Sequence, residues 1–193
     1  MAEWPKVTGR RVTEVSPLVD LIERRVSLTA NGATETYHSL GQPDYLAVVA
    51  QTPSGHIPIV RQFRPALERF TWELPAGYVD ADEAPADGAR RQLLKTTGYP
   101  ALTLHALGTT APCTGRFSNW LHSFYVTTSE RATEYQPDHG LEVRLVELPE
   151  LTELIASGEF VSQLHIGALF QASLRSFLDF RHRGRQASSA LHT

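Results

Sequence analysis

The stretch that most restricts how this chain can fold is WELPAGYVDADEAPADGARRQLLKTTGY, residues 72–99. Pro75 ends a short apolar strand, because proline has no N–H to donate to a strand ladder, and Gly77 gives the backbone freedom at the loop entry. Pro85 suits the first turn of a helix, where a missing N–H leaves no bond unmade. Gly98 suits the C-terminal cap of that helix. The stretch therefore predicts a strand, a loop and a helix in succession.

The rest of the chain predicts a mixed α/β (α+β) protein. Asn31-Gly32 separates two alternating segments, which is the strongest short hairpin signal, and a turn at residues 52–55 separates two apolar strands in the same arrangement. Three later segments have strand patterns and two have helical periodicity. Those strands are ALTLHALGTTAP, LHSFYVTTSE and LEVRLVEL, and the helices are LPELTELIASGEF and SQLHIGALFQASLRSFLDF. We expect a mixed sheet with helices packed on it.

Composition restricts the class of protein. A chain of 193 residues, 41% of them hydrophobic, is long enough for one compact domain. A net charge of -3 argues against a nucleic-acid partner, which a basic excess would indicate. No apolar run approaches the roughly 20 residues of a membrane span, and the N-terminus lacks the hydrophobic region of a signal peptide. Since the single cysteine, Cys113, fits a reducing compartment, we expect a cytoplasmic protein with no membrane partner.

Four residues of the first stretch match the frame of a known motif. Five residues separate Gly77 from Glu83, seven separate Glu83 from Arg91, and Gly98 closes the pattern. This spacing resembles the Nudix box, and the likeness to ADP-ribose pyrophosphatases extends over roughly residues 45–175. The resemblance implies a Nudix α/β/α sandwich with a mixed curved sheet. In an active member it also implies Mg²⁺- or Mn²⁺-dependent hydrolysis.

The resemblance also divides the chain. It implies an N-terminal antiparallel β-sheet region over residues 1–45 and a Nudix domain over 46–180, while the polar, basic end of the sequence predicts a flexible tail over 181–193. In the resembling enzymes the N-terminal strands support a homodimer, often by exchange between protomers, and aromatic residues there help to hold the adenine. Trp4 and Tyr37 are candidates for that role, and packing at a sheet or dimer edge is the alternative. A homodimer is expected.

The box helix lacks the carboxylates of the family. In Nudix hydrolases three glutamates at positions i, i+3 and i+4 share one helical face at the metal, and here those positions are Gln92, Lys95 and Thr96. Magnesium requires hard oxygen ligands, usually carboxylates with phosphate oxygens and water. An amide and a hydroxyl are weak ligands and an ammonium repels a dication, so metal-dependent catalysis is expected to be lost. Glu83 and Arg91, which form a bracing ion pair in the family, are kept.

Other site positions of the family are partly kept. Glu73 and the carbonyl of Ala76 match metal ligands, although Glu73 could instead pair with Arg61 or Arg64. Arg64 matches a substrate-contacting position, and a guanidinium suits phosphate or carboxylate. Lys95 could stand in for the metal and bind a diphosphate, or it could be a solvated lysine. The candidate ligand-binding residues are Arg64, Glu73, Ala76, Gly77 and Lys95.

Two further segments lack expected acids. Asn119 and Trp120 occupy the place of an acidic pair of the family, and Asp138 and His139 lie in the loop that resembles the one carrying its catalytic base. Zinc is not expected, because a ligand spacing such as two histidines at i and i+4 is not found among His122, His139 and His165.

Three functional hypotheses follow. The first is a catalytically impaired or inactive Nudix protein that binds a nucleoside diphosphate derivative such as ADP-ribose. The second is an active hydrolase of such compounds, with a rearranged metal site on Glu73, the Ala76 carbonyl and Asp138 or Glu142. The third is a structural homodimer with a vestigial pocket. No cofactor is assigned, apart from Mg²⁺ or Mn²⁺ under the second hypothesis.

Overall fold

A computed structural model describes residues 5–30 and 32–180, so Trp4, Asn31 and the predicted tail over 181–193 lie outside the described residues. The described chain forms ten strands and three helices. The strands are β1 (Lys6–Ser16), β2 (Val19–Ser27), β3 (Thr34–Gly41), β4 (Tyr45–Gln51), β5 (Ile57–Arg64), β6 (Arg69–Glu73), β7 (Ala76–Tyr78), β8 (Ala101–Thr110), β9 (Leu121–Thr128) and β10 (Glu142–Val146). The helices are α1 (Pro85–Thr97), α2 (Leu148–Ala156) and α3 (Gln163–Leu174).

The described strands form three sheets. β1, β2 and β3 make an antiparallel N-terminal sheet, in which the first predicted hairpin joins β2 to β3. The second sheet has the order β7-β4-β9-β8, with β4 and β9 parallel. The third sheet has the order β10-β5-β6 and is antiparallel. The predicted mixed α/β class with an additional N-terminal antiparallel sheet is therefore confirmed.

The two strands beside the turn at residues 52–55 do not pair. The turn is present, because the N–H of Gly55 donates to the carbonyl of Thr52 at 2.9 Å. β4 and β5 nevertheless enter different sheets, so the expected second hairpin is wrong. Five consecutive residues of β4 are buried. A strand that is buried on both faces suits a central position, and β4 lies between β7 and β9.

β4 separates two apolar cores. Successive side chains of a strand point to opposite faces, and the even-numbered residues of β4 pack with Ala89 and Leu93 of α1. The odd-numbered Ala47 and Val49 belong to a larger core that includes Leu151 of α2 and Leu169 of α3. The result is an α/β/α sandwich. In the described part of the chain, no helix combines the length and the apolar character needed to cross a bilayer.

The box helix, α1, has the predicted ends. Pro85 is its first residue, and Gly98 is its C-terminal cap with a φ of 76°. The N–H of Gly98 donates to the carbonyl of Leu94 at 2.9 Å. A Cβ added to Gly98 would lie 2.3 Å from the ring of Tyr135, because the loop after β9 packs against this cap.

Gly98→Ala should lower the free energy of unfolding by about 2 kcal/mol, since alanine is strained at this φ and its Cβ would collide with Tyr135. Gly55 provides a matched control, because its φ is 83° and nothing lies within 4 Å of an added Cβ. Gly55→Ala should therefore cost only the backbone strain, about 1 kcal/mol. Urea unfolding measures both losses. Equal losses would show that Tyr135 moves aside without cost.

Candidate functional site

A cavity of about 480 Å³ lies between β5, the β6–β7 segment and the start of α3. The cavity brings together four predicted site residues, Arg64, Glu73, Ala76 and Gly77. Tyr45 and Tyr78 also line it, with ring centroids 5.5 Å apart. Lys95 is exposed and is not among the lining residues. The predicted ligand-binding set is therefore assembled in one cavity except for Lys95.

Glu73 is buried in the cavity wall and is paired with Arg64. Nε of Arg64 donates to Oε1 of Glu73 at 2.7 Å, and Nη2 donates to Oε2. The hydroxyl of Thr71 donates to Oε1 at 2.6 Å. Burial acts to raise the pKa of Glu73, but the hydrogen bonds from Arg64 and Thr71 outweigh it and lower the pKa. Glu73 is thus an ionised carboxylate that already has a cationic partner.

Strand register explains why Arg64, and not Arg61, meets Glu73. Residues opposite each other in neighbouring strands point to the same face, and Val60 of β5 lies opposite Glu73 of β6. Arg64 is four residues from Val60 and shares that face, because side chains alternate along a strand. Arg61 points to the other face, where Nη1 lies 3.3 Å from Oε2 of Glu142.

The candidate metal face of α1 offers no anionic oxygen. Gln92 packs on the loop entry, where a Cβ added to Gly77 would lie 2.4 Å from Nε2 of Gln92. The hydroxyl of Thr96 donates to the carbonyl of Gln92 at 2.7 Å. Lys95 is exposed and has no ion pair with any described residue. Because Mg²⁺ needs several oxygen ligands, usually including carboxylates, this set of donors does not fit it.

Glu83 and Arg91 join the loop after β7 to α1. Nε of Arg91 donates to Oε1 of Glu83 at 2.8 Å, and Nη2 donates to the carbonyl of Tyr78 at 3.3 Å. The hydrogen bond from Arg91 lowers the pKa of Glu83. A Cβ on Gly88 would lie 2.6 Å from Oε2 of Glu83, so this glycine lets the loop approach the helix. These box residues shape the loop and the helix, and they need no metal to do so.

Comparison with known proteins identifies the family. The NUDIX domain family model matches residues 42–164. The chain belongs to the Nudix family. An ADP-ribose pyrophosphatase of Bacillus subtilis (strain 168) is 32% identical over 145 residues, which cover 74% of this chain and 78% of that protein. A CMP-5'-(N-acetyl-N-hydroxy-3-aminopropyl)phosphonate hydrolase of Streptomyces rubellomurinus (strain ATCC 31215) is 29% identical over 160 residues, which cover 80% of this chain and 75% of that protein.

A solved structure supports the Nudix fold independently. The crystal structure of an ADP compounds hydrolase matches with a TM-score of 0.72 and 20% sequence identity. The match covers 94% of this chain and 98% of that chain. At this identity the likeness concerns the fold alone, and it confirms the predicted Nudix sandwich.

The remaining candidate residues lie elsewhere in the Nudix protein. Asn119 and Trp120 line a separate groove beside the N-terminal sheet. Asp138 and His139 are exposed in the loop between β9 and β10. Over residues 5–30 and 32–180, no group of three histidine, cysteine, aspartate or glutamate side chains is arranged to hold a metal.

The sequence did not predict the contacts of His165, which was considered only as a metal ligand. His165 lies on α3 and lines the 480 Å³ cavity that contains Arg64 and Glu73, here called the Nudix cavity. Its Nδ1 accepts a hydrogen bond from the N–H of Leu74 at 3.2 Å. The same nitrogen lies 4.0 Å from Oε2 of Glu73. Burial lowers the pKa of His165 to about 4, so the ring is neutral at pH 7 with its proton on Nε2. In the sequence, the only indication of this role was one polar ring, His165, among the apolar residues of α3.

Acidification should destabilise the protein through His165. Its pKa is about 4 in the folded state and 6.5 ordinarily, so the unfolded state binds the additional proton between these values and stability falls as the pH drops below 6.5. Each pH unit of acidification in this window should lower the free energy of unfolding by about 1.4 kcal/mol. Between about pH 6 and pH 4.5 the loss should be about 2 kcal/mol. Urea unfolding at several pH values measures the slope. His165→Asn, which removes the titrating group, should flatten it, and an unchanged slope in this variant would contradict the assignment.

Proposed function

We propose that this Nudix protein binds a nucleoside diphosphate derivative such as ADP-ribose and has lost most or all metal-dependent hydrolysis. The observation that carries the proposal is the α1 face. Gln92 and Thr96 are neutral and Lys95 is positive, so the face carries +1 where three glutamates would carry -3. At about 4 Å and an effective dielectric near 20, each unit charge is worth about 4 kcal/mol to a neighbouring charge. A divalent cation is therefore not held at this face.

Glu73 does not compensate for the missing carboxylates. Both of its oxygens accept hydrogen bonds from Arg64, so a metal would have to displace the guanidinium or share the carboxylate with it. Glu142, a further ligand under the hydrolase hypothesis, lies opposite Arg61 in the sheet and thus on the other face from Glu73. Hydrolysis at a rearranged site would require these side chains to move.

The cavity supports binding of a nucleotide. Glu73 uses Nε and Nη2 of Arg64, and among the described residues Nη1 has no hydrogen-bond partner, so its N–H groups can meet a phosphate oxygen. Tyr45 and Tyr78 provide aromatic surface, and Gln62 provides an amide. The names of the two relatives each specify a nucleotide, ADP-ribose in one and a CMP derivative in the other. The proposal relies on Arg64 and does not require Lys95.

Two measurements test the proposal. Isothermal titration with ADP-ribose in the absence of metal should show binding, and Arg61→Gln, outside the cavity, should leave the affinity unchanged. Incubation of ADP-ribose with Mg²⁺ or Mn²⁺ and a phosphatase should release no phosphate beyond the enzyme-free control. Metal-dependent release would favour the hydrolase hypothesis. Absence of both binding at millimolar ligand and release would favour a structural protein with a vestigial pocket.

We also propose a homodimer that forms through the N-terminal sheet. Val7 and Val12 of β1 are exposed in the single chain. They share one face of the N-terminal sheet, because they lie opposite Val26 and Ile22 of β2, and exposed apolar surface on one face indicates a protein contact. Sedimentation at micromolar concentration should show a dimer. Val12→Glu should shift it towards monomer, whereas Thr13→Glu, on the other face of β1, should have less effect. A monomeric unmodified protein would contradict the proposal.

A further inference from the structure

Two buried oxygen atoms near α3 have no hydrogen-bond partner in the described chain. Ser123 of β9 is 1% exposed, and its hydroxyl oxygen, Oγ, pairs with no other described atom. Oε1 of Gln171, a residue of α3, is also buried and is unpaired among the described residues. A buried polar group without a partner costs the full penalty of its desolvation. Each oxygen therefore indicates a partner that the described chain does not supply.

Strand register places Ser123 beside the amide of Gln171. Ser123 lies opposite Gly108 of β8, and residues opposite each other point to the same face of a sheet, about 5 Å apart. A Cβ added to Gly108 would lie 3.2 Å from Nε2 of Gln171 and 3.9 Å from its Cδ. Tyr125, two residues from Ser123 along β9, belongs to the same apolar core as Leu169 of α3. The hydroxyl and the amide are therefore neighbours under α3.

The amide oxygen of Gln171 faces inwards, towards β9. The sheet has the order β7-β4-β9-β8, so Gly108 lies on an edge strand and Ser123 lies one strand further in. Nε2 and Cδ of Gln171 come within 4 Å of a Cβ on Gly108, whereas Oε1 does not. Because Oε1 is also buried, it points away from solvent and towards Ser123. The two side chains do not pair directly, since both oxygens are without a partner in the described chain.

Gly108 and a bulge leave room at this position. β8 shifts its register against β9 just before Gly108, which leaves Leu107 without an opposite residue in the ladder. The carbonyl of Leu107 accepts a hydrogen bond from Nε of Arg175 at 2.9 Å. Gly108 contributes no side chain, and Ser123 contributes only a hydroxymethyl group. The interface between β8, β9 and α3 is therefore thinly filled where the two unpaired oxygens lie.

We propose that one internal water molecule binds at this position, where it donates a hydrogen bond to Oε1 of Gln171 and pairs with the hydroxyl of Ser123. A buried water typically makes about three hydrogen bonds to groups that are otherwise unsatisfied, and these two oxygens are such groups. A metal ion does not fit, because both oxygens are neutral and Mg²⁺ or Ca²⁺ usually requires carboxylates. The site is separate from the Nudix cavity, so its occupation does not depend on the function proposed for that cavity.

The water affects the Nudix cavity through the position of α3. His165 lines that cavity and lies six residues before Gln171, which is about 9 Å along a helix. The first turn of α3 is held by the hydrogen bond from the N–H of Leu74 to His165. The water holds the second half of the helix against β9. Together the two contacts fix the helix that forms one wall of the cavity.

A crystal structure of the unmodified protein is the direct test. It should show a water oxygen within about 3 Å of both Oγ of Ser123 and Oε1 of Gln171. Magnetic relaxation dispersion of oxygen-17 in water is the matching test in solution, because it counts internal waters that exchange slowly. Proteins contain on the order of one buried water per 27 residues, so the count is compared between variants.

Ser123→Ala with Gln171→Leu removes both polar partners, and an apolar site stays dry. This double variant should contain about one slowly exchanging water fewer than the unmodified protein. Thr128→Val is the matched control, because Thr128 is a buried residue of the same strand whose hydroxyl already donates to the carbonyl of Ser129 at 2.9 Å. The control should leave the number of slowly exchanging waters unchanged.

Urea unfolding tests whether the two side chains share one partner. Ser123→Ala and Gln171→Leu should each lower the midpoint of unfolding, because each leaves the other oxygen less well satisfied. The double variant should lower the midpoint by less than the sum of the two losses, since neither polar group is then left buried.

Three outcomes would overturn the proposal. A crystal structure with a direct hydrogen bond between Ser123 and Gln171, and no water between them, would show that the side chains satisfy each other. An unchanged water count in the double variant would place no slowly exchanging water at this site. Strictly additive losses of the urea midpoint would show that the two oxygens share no partner. If the double variant does not fold, the crystal structure of the unmodified protein still decides.

Discussion

Replacing Arg64 with methionine should lower the free energy of unfolding by about 3 kcal/mol. Glu73 is only 4% exposed, and loss of the guanidinium would leave its charge buried with the hydroxyl of Thr71 as the closest remaining donor. A buried carboxylate without a cation is costly, and its pKa would rise. The variant would then favour a protonated Glu73, so its deficit relative to the unmodified protein should grow as the pH rises from about 4 towards 7.

Arg61→Met is the matched control for this prediction, because Arg61 lies on the same strand but pairs with Glu142 at the surface. The two side chains of that pair are 44% and 57% exposed, and exposed pairs contribute less than about 1 kcal/mol. Adding Glu73→Gln to Arg64→Met should recover part of the loss, since it removes the unpaired charge. Urea unfolding measures all three variants. Equal losses for the two arginines would show that Glu73 is solvated.

The features that the sequence predicted correctly depend on short-range chemistry. Pro85 and Gly98 mark the ends of α1 because each acts through its own backbone, the first by lacking an N–H and the second by adopting a positive φ. Spacing within the box likewise specified which residues share a face of α1, since helical geometry fixes the positions i, i+3 and i+4. The substitution of Gln92 for a carboxylate was therefore visible before the fold was known.

The features that the sequence could not predict depend on long-range pairing. Arg61 and Arg64 were equal candidates to pair with Glu73, and only the register of β5 against β6 decides between them. The turn at residues 52–55 was correct, but β4 pairs with β7 and β9 whereas β5 pairs with β6 and β10. Two of these partners, β9 and β10, are distant in sequence from the turn. His165 lies 91 residues from the N–H that it accepts, so no local pattern could indicate that contact.

Three glutamates on α1 should create a metal site. Gln92→Glu, Lys95→Glu and Thr96→Glu together change the formal charge of the face from +1 to -3 and supply the carboxylate oxygens that Mg²⁺ and Mn²⁺ require. Calorimetric titration with Mn²⁺ should show an affinity at least about a hundredfold above that of the unmodified protein. Without metal the variant should be less stable, because neighbouring carboxylates on a helix repel one another. Mn²⁺ at 100 times its Kd should raise the free energy of unfolding of the variant by about 2.7 kcal/mol.

A control on the same helix distinguishes the effect of where the new carboxylates lie from the effect of added negative charge alone. Arg90 and Leu94 are exposed on the opposite side of α1, so Arg90→Glu with Leu94→Glu adds carboxylates away from the cavity and should gain little affinity for Mn²⁺. Phosphate release from ADP-ribose is a stricter test, since it also depends on Glu73 and the loop around Asp138. If the variant binds metal but releases no phosphate, the remaining loss of hydrolytic activity is due to Glu73 and the loop around Asp138. If no affinity is gained, the α1 face is not what prevents metal binding.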